Sequence, residues 1–274
     1  MPSNKNIIGV FDSGLGGLSV FKHFLKKMPQ FNYLYLGDNA RVPYGNKSRE
    51  IIYEYTKEAV DFLFTHGADL IIIACNTASA EALRRIQQEY LPKKYPGKKV
   101  LGVIRPLAEA AGKNLKSKKV GVIGTKATIG SGVYETEIKK INPQLQVYQL
   151  STPLLVPLIE EGWAHKPETK KILESYLKPL KQKKIETLIL GCTHYPFLLK
   201  EAREIMGRGY SIPNTGEIIA QSLKDYLMRH PELNIKADKK PSVKFYTTDD
   251  IKKFKDLGEK FLGQKMTHIE KIVL

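Results

Sequence analysis

What most limits the folds open to this chain is an alternation of two patterns. Short apolar, β-branched runs recur between longer stretches of helical periodicity. The runs are NIIGVF (6–11), NYLYLG (32–37), DLIIIA (69–74), KVLGVI (99–104), KVGVIG (119–124), LQVYQL (145–150), ETLILG (186–191) and VKFYTT (243–248). Helical spacing falls near 16–28, 48–66, 77–90, 106–115, 127–141, 167–181, 197–206, 214–229 and 250–262. In the last of these, Ile251, Phe254, Leu257 and Phe261 share one face. Strands that are apolar throughout must be covered on both faces. The expected fold is therefore α/β, with mostly parallel sheets flanked by helices.

A length of 274 residues suits two domains. The Pro-, Lys- and Gly-rich segment LPKKYPGKK (91–99) reads as a crossover between them. The expected division is 1–97 with 208–274 in a first, discontinuous domain, and 98–207 in a second. The halves resemble each other. IIGVFDSGLGG is similar to KKVGVIGTKATIGSG, and LIIIACNTASAEALRR to TLILGCTHYPFLLKEARE. With Ser13 aligned to Thr125, Cys75 follows by 75 − 13 = 62 positions and Cys192 by 192 − 125 = 67. Ligands in such sheets bind beyond the carboxyl ends of the strands. A cleft between two pseudo-symmetric domains is the expected site.

Cys75 and Cys192 are the chain's two cysteines. Each stands where an apolar run stops and a helix is about to start. A free cysteine is most often a small buried residue, and Cys75 taken alone reads so. The same setting twice points instead to a pair of reagents. A helix start lowers a thiol pKa from about 8.5, so two reachable, low-pKa thiols are expected in one cleft. Asn76, Thr77 and Thr193 add donors, and the free N–H groups of a helix start can hold a carboxylate. His194 precedes Tyr195-Pro196 and reads as a loop residue before a helix. It either satisfies a backbone group there or tunes Cys192 and carries a proton.

Asp12-Ser13-Gly14 ends the first run, in FDSGLGG. A dinucleotide fingerprint starting at Gly14 fails at Ser19, and no GK[ST] follows. Asp12 is read as a carboxylate facing an ammonium group and Ser13 as a donor to a carboxylate. The alternative is that the pair caps the helix beginning near Gly16. Pro43-Tyr44-Gly45 forms a turn whose N–H groups and Tyr44 suit a ligand carboxylate. Glu160 and Glu161, by the residues alone, read as solvated helix-end acids. A phosphatase loop needs Arg six positions past the cysteine, where Glu81 and Leu198 stand. There is no CxxC, and the chain clusters too few ligands for zinc, so no metal is expected.

The formal net charge is +16, but lysines are spread along helix faces, as in KPETKKILESYLKPLKQKKIE. No run of five like charges occurs, so a nucleic-acid partner is not expected. No apolar run approaches the roughly 20 residues of a membrane span. The first residues lack a signal-peptide pattern. With two free thiols, this predicts a cytoplasmic protein without a membrane partner.

GVFDSGLGGLSV, GDNARVPYG, ACNTAS, PLLVPLIEEG and LGCTHYPFL, in that order and spacing, resemble glutamate racemase within the aspartate/glutamate racemase family. KFYTTDDIKKFKDLGEKFLG resembles that family's last strand and helix, so the resemblance covers nearly the whole chain. It departs at Thr152, where the family often has Cys, at Asn214, where it has Asp, and at Asp249, where it has Gly. Asn214 bears on local capping, and the other two departures are expected to be neutral. The resemblance implies cofactor-independent interconversion of L- and D-glutamate, supplying D-glutamate for peptidoglycan. It implies that Cys75 takes the α-proton from D-glutamate and Cys192 from L-glutamate. Asp12, Glu160 and His194 would be auxiliary, with the VPLIE frame favouring Glu160 over Glu161. Ser13, Pro43, Tyr44, Gly45, Asn76, Thr77, Thr193 and His194 would join Asp12 in binding substrate. The expected partners are glutamate and a second copy of the chain. An aspartate racemase, a one-thiol decarboxylase and a nucleic-acid-binding protein are the competing readings. DSGLGG together with GCTHYP, and two intact cysteines, argue against the first two.

Overall fold

The computed structural model describes residues 6–114 and 117–274. Among these residues nine strands form two parallel sheets. They are β1 (Ile7–Asp12), β2 (Asn32–Gly37), β3 (Ala68–Ile73), β4 (Lys99–Gly102), β5 (Lys119–Gly124), β6 (Gln146–Ser151), β7 (Thr187–Gly191), β8 (Val243–Thr247) and β9 (Ile269–Lys271). The first sheet runs β4-β3-β1-β2-β8-β9 and the second β6-β5-β7. The expected absence of a leader falls partly on residues 1–5, and the end of the expected helix 106–115 on residue 115. These lie outside the described residues.

The inner strands show why the runs are apolar throughout. Ile8 and Val10 of β1 and Leu70 and Ile72 of β3 enter one core, which continues into the second sheet through Val120, Val122 and Leu188. Phe11, Ile71 and Ile73 face the opposite side and pack with Val60 and Leu63 of the helix Arg49–Thr65. Successive side chains point to opposite faces of a strand, so a sheet covered on both sides has no polar face.

The internal resemblance in the sequence is a resemblance of strand order. β3-β1-β2 in the first sheet matches β7-β5-β6 in the second. Ser13 follows β1 as Thr125 follows β5, and Cys75 follows β3 as Cys192 follows β7.

The crossover differs from its expected place. Leu91–Lys94 is helical, with Pro92 in the first turn, where a missing N–H costs nothing. β4 then pairs with β3, Val100 lying opposite Ile71 and Leu101 opposite Ile72. The chain therefore leaves the first sheet after Gly102, not within 91–99. It remains with the second sheet at least to Ser211, which bridges to Thr187, and returns through β8 beside β2. We propose two domains on this basis, with boundaries after Gly102 and near 212, in place of 97 and 207. Among the described residues no helix is long and apolar enough to cross a membrane.

Candidate active site

Both thiol turns open from the carboxyl end of a strand beside the central strand of its sheet. Cys75 is the N-cap of the helix Asn76–Glu81, and its Sγ accepts from Ala78 N–H at 3.5 Å. Ser13 Oγ lies 3.3 Å from the same sulfur. Cys192 follows β7, and His194 is the N-cap of the 3-10 turn Tyr195–Leu198, with Pro196 in its first turn. His194 thus sits in the loop with proline opening the turn, as the sequence suggests.

One cleft collects nearly all the candidates. Ser13, Pro43, Tyr44, Gly45, Asn76, Thr77, Glu160, Cys192, Thr193, His194 and Cys75 line it. Its cavity volume is about 40 Å³, room for a few waters at about 10–15 Å³ each and less than an amino acid needs. The thiols are 5% and 7% exposed.

The lowered thiol pKa expected of Cys75 is not found. Burial, reinforced by the nearby Asp12 carboxylate, pushes its thiol up to about 12. The Ser13 and Ala78 hydrogen bonds favour the thiolate but do not outweigh the loss of water. A six-residue helix contributing one long N–H···S contact is a weak counterweight.

His194 lies between Cys192 and Glu160. Its Nδ1 is 3.7 Å from Cys192 Sγ and its Nε2 is 3.1 Å from Glu160 Oε1. Burial alone would lower the imidazole, but the Cys192 and Glu160 partners raise it to about 10. Both neighbours thus favour the charged form of the ring, against its burial. Glu160 ends the helix Leu155–Glu160 and reaches His194, whereas Glu161 is exposed. The expectation that these acids are merely solvated holds for Glu161 alone.

Asp12 is fully buried and does not line the cleft. Its Oδ2 accepts from Gly14 N–H at 3.0 Å and its Oδ1 from Thr193 Oγ1 at 3.3 Å. Burial raises its pKa, and the His194 charge opposes this. Asp12 thus stands behind the cleft wall and grips the Thr193 turn, rather than facing a ligand ammonium directly. The helix after it has its N-cap at Gly17, which offers no side-chain cap of its own, and the Asp12 carboxylate accepts from the Gly17 N–H at that helix start. Tyr44 also differs from expectation. Its hydroxyl donates to buried Asp38 at 2.5 Å, and Arg41 pairs with the same carboxylate at 2.6 Å. What the turn offers a ligand is its backbone and ring, not its hydroxyl.

Sequence reasoning assigned no role to Thr125, Thr128, Tyr134 or Thr152. Thr125 Oγ1 and Thr128 Oγ1 lie 2.9 and 3.2 Å from Thr77 Oγ1, and Tyr134 donates to Asn76 Oδ1 at 2.6 Å. Thr152 lines the cleft, its Oγ1 2.6 Å from the Tyr195 hydroxyl. The alignment of Thr125 with Ser13 was the one available signal.

A family model described as Asp/Glu/Hydantoin racemase matches residues 18–221. The glutamate racemase of Aquifex aeolicus is 41% identical over 259 residues, 94% of this chain and 95% of that protein. The glutamate racemase isoform RacE1 of Bacillus anthracis superposes with a TM-score of 0.91 at 33% identity, covering 99% of this chain and 98% of that one. The glutamate racemase of Francisella tularensis, solved in complex with D-glutamate, superposes with a TM-score of 0.89 at 36% identity, covering 99% and 98%.

Proposed function

This chain belongs to the Asp/Glu/Hydantoin racemase family, and we propose that it interconverts L- and D-glutamate by moving the α-proton between two thiols. The observation that carries the reading is the placement of two free cysteines, at equivalent strand ends of two sheets, on the walls of one cleft. Inverting a stereocentre through a planar carbanion needs a base on one face and an acid on the other. One thiol from each sheet supplies that pair.

In this reading Cys75 removes the α-proton of D-glutamate while Cys192 delivers one to the opposite face, and the roles reverse for L-glutamate. The new Cα–H bond receives its proton from one thiol, and the broken one leaves its proton on the other. His194, held by Glu160, exchanges a proton with Cys192. Among the described residues no such imidazole pairs with Cys75, whose thiol burial keeps protonated. The substrate's α-ammonium brings the positive charge that favours a thiolate there. Donors at Ser13, Asn76, Thr77 and Thr193, with the Pro43–Gly45 backbone, seat the two carboxylates and stabilise the charge that develops beside Cα. Glutamate enters when the two domains part, because the closed cavity is too small to admit it. Supply of D-glutamate for peptidoglycan, a cytoplasmic location, a homodimeric state and independence of cofactors belong to the same reading.

The test is racemisation itself. Glutamate of either hand, incubated with the metal-free protein and followed by circular dichroism or chiral chromatography, should approach an equal mixture. Cys75→Ala and Cys192→Ala should each lose activity in both directions by a hundredfold or more, on the order of one acid-base group. A folded alanine variant that kept substantial activity would remove that cysteine from the mechanism. Racemisation of aspartate in preference to glutamate would reassign the substrate.

A further inference from the structure

Each thiol turn is tied to the opposite sheet. After Cys75, at the end of β3, Asn76 accepts from Tyr134 at 2.6 Å and Thr77 meets Thr125 and Thr128. Those three partners follow β5, in the second sheet. After Cys192, at the end of β7, the Thr193 carbonyl accepts from Ser19 Oγ at 2.6 Å and the Thr193 hydroxyl donates to Asp12. Asp12 and Ser19 flank the turn after β1, in the first sheet. Ser19 is 2% exposed, Tyr134 is fully buried, and neither lines the cleft. Ser19 sits in the first turn of its helix, and its hydroxyl reaches across 174 positions of sequence to Thr193.

We propose that Ser19 and Tyr134 are positioning residues for the two proton transfers, each fixing the thiol rooted in the other sheet. Ser19 holds Cys192 through the Thr193 carbonyl, and Tyr134 holds Cys75 through the Asn76 side chain. The inference rests on the two-thiol reading. Proton transfer at carbon needs reacting atoms within about 3–3.5 Å, and a misplacement of about 1 Å costs about a hundredfold. A thiol supported only by its own sheet would be carried with that sheet whenever the cleft changed width. With crossed ties, closing the cleft sets the height of each thiol against the opposite wall. The thiols reach their working positions only when the ties are made.

The two ties make opposite predictions, which separates positioning from general damage. L- and D-glutamate are mirror images, so any variant loses kcat/KM by the same factor in both directions. Isotope effects are not so constrained. In Ser19→Ala, transfers at Cys192 become limiting. Deuterium at Cα should then slow the L enantiomer more than in the wild type and the D enantiomer less. In Tyr134→Phe the pattern should reverse. Each variant should lose about tenfold to a hundredfold in kcat/KM, with unfolding curves showing that both remain folded. Iodoacetamide labelling of each cysteine, read by mass spectrometry, tests the ties without relying on racemisation. Ser19→Ala should change the labelling rate of Cys192 more than that of Cys75, and Tyr134→Phe the converse. Isotope effects that shift in the same sense in both variants, or labelling that rises equally at both thiols, would overturn the proposal. If the wild type did not racemise glutamate, the two-thiol reading would fall while the labelling result still judged the ties.

Discussion

Gly16→Ala is a small change with a calculable consequence. A Cβ built at Gly16 would stand 2.5 Å from His194 Nδ1 and 2.6 Å from His194 Cε1, with Thr193 Oγ1 also in its way. Heavy atoms in contact prefer about 3.5–4.0 Å, so the methyl overlaps the imidazole by about 1 Å. His194 has little room to retreat, being 4% exposed and edge-on to Phe261 at 6.0 Å between centroids. Overpacking of this kind costs about 1–3 kcal/mol, which for a chain of this size is a fall in Tm of about 2–4 °C per kcal/mol. Pushing His194 by about 1 Å parts it from Cys192 and Glu160, and about a hundredfold of kcat should go with it. Gly130→Ala is the control. Nothing lies within 4 Å of its added Cβ, so stability and activity should stay near wild type. Racemisation followed by circular dichroism, beside thermal unfolding, reads both effects. A Gly16→Ala enzyme with wild-type kcat would refute the claim that this turn sets His194.

Three further outcomes follow from the same geometry. Stability should fall as pH rises, because His194 is raised from 6.5 to about 10 and Cys75 from 9.0 to about 12. Groups raised in the folded state give stability that is full below their unfolded pKa and is lost as pH climbs through the folded one. Calorimetry should therefore show Tm decreasing from about pH 6.5 to 10, with a flatter profile in His194→Gln, and a Tm that rose over that window would contradict the assignment. Glu160→Gln should lower the imidazole pKa, move the alkaline edge of the pH–rate profile to lower pH and reduce kcat by about ten- to a hundredfold; an unmoved edge would detach Glu160 from His194. Thr152→Val should cost about 0.5–1.5 kcal/mol in denaturant unfolding, since it removes the 2.6 Å side-chain partner of the buried Tyr195 hydroxyl but leaves that hydroxyl its 3.3 Å bond to the Thr152 carbonyl, and an unchanged midpoint would show that the carbonyl bond alone satisfies it.

The strands were legible in the sequence because burial on both faces leaves an unbroken apolar mark. NYLYLG and KVGVIG coincide with β2 and β5 to the residue. β9, Ile269–Lys271, was missed because an edge strand of three residues with exposed Glu270 and Lys271 carries no such mark. The expected helix 127–141 is two helices, broken where Gly132 takes a positive φ of 66°. Helical spacing of side chains continues past such a break, so periodicity cannot see it. At the site, the thiols, Ser13 and His194 were legible from strand-end position. The burial of Asp12 and the Tyr44–Asp38 bond were not, because the carboxylates are turned by distant partners, Asp12 by Thr193 across 181 positions and Asp38 by Thr248 across 210. The raised Cys75 pKa was illegible for the same reason: a helix start is a local feature, whereas desolvation comes from two sheets closing over it.

The central claim is that two different thiols handle the departing and the arriving proton, and heavy water tests it most directly. L-Glutamate incubated with the wild type in heavy water, and stopped early, should yield D-glutamate carrying deuterium at Cα while the remaining L-glutamate keeps its hydrogen. The proton taken by Cys192 is then not the one supplied by Cys75. D-Glutamate that retained the original hydrogen would mean that one group carries the proton from face to face, and the two-thiol account would be wrong.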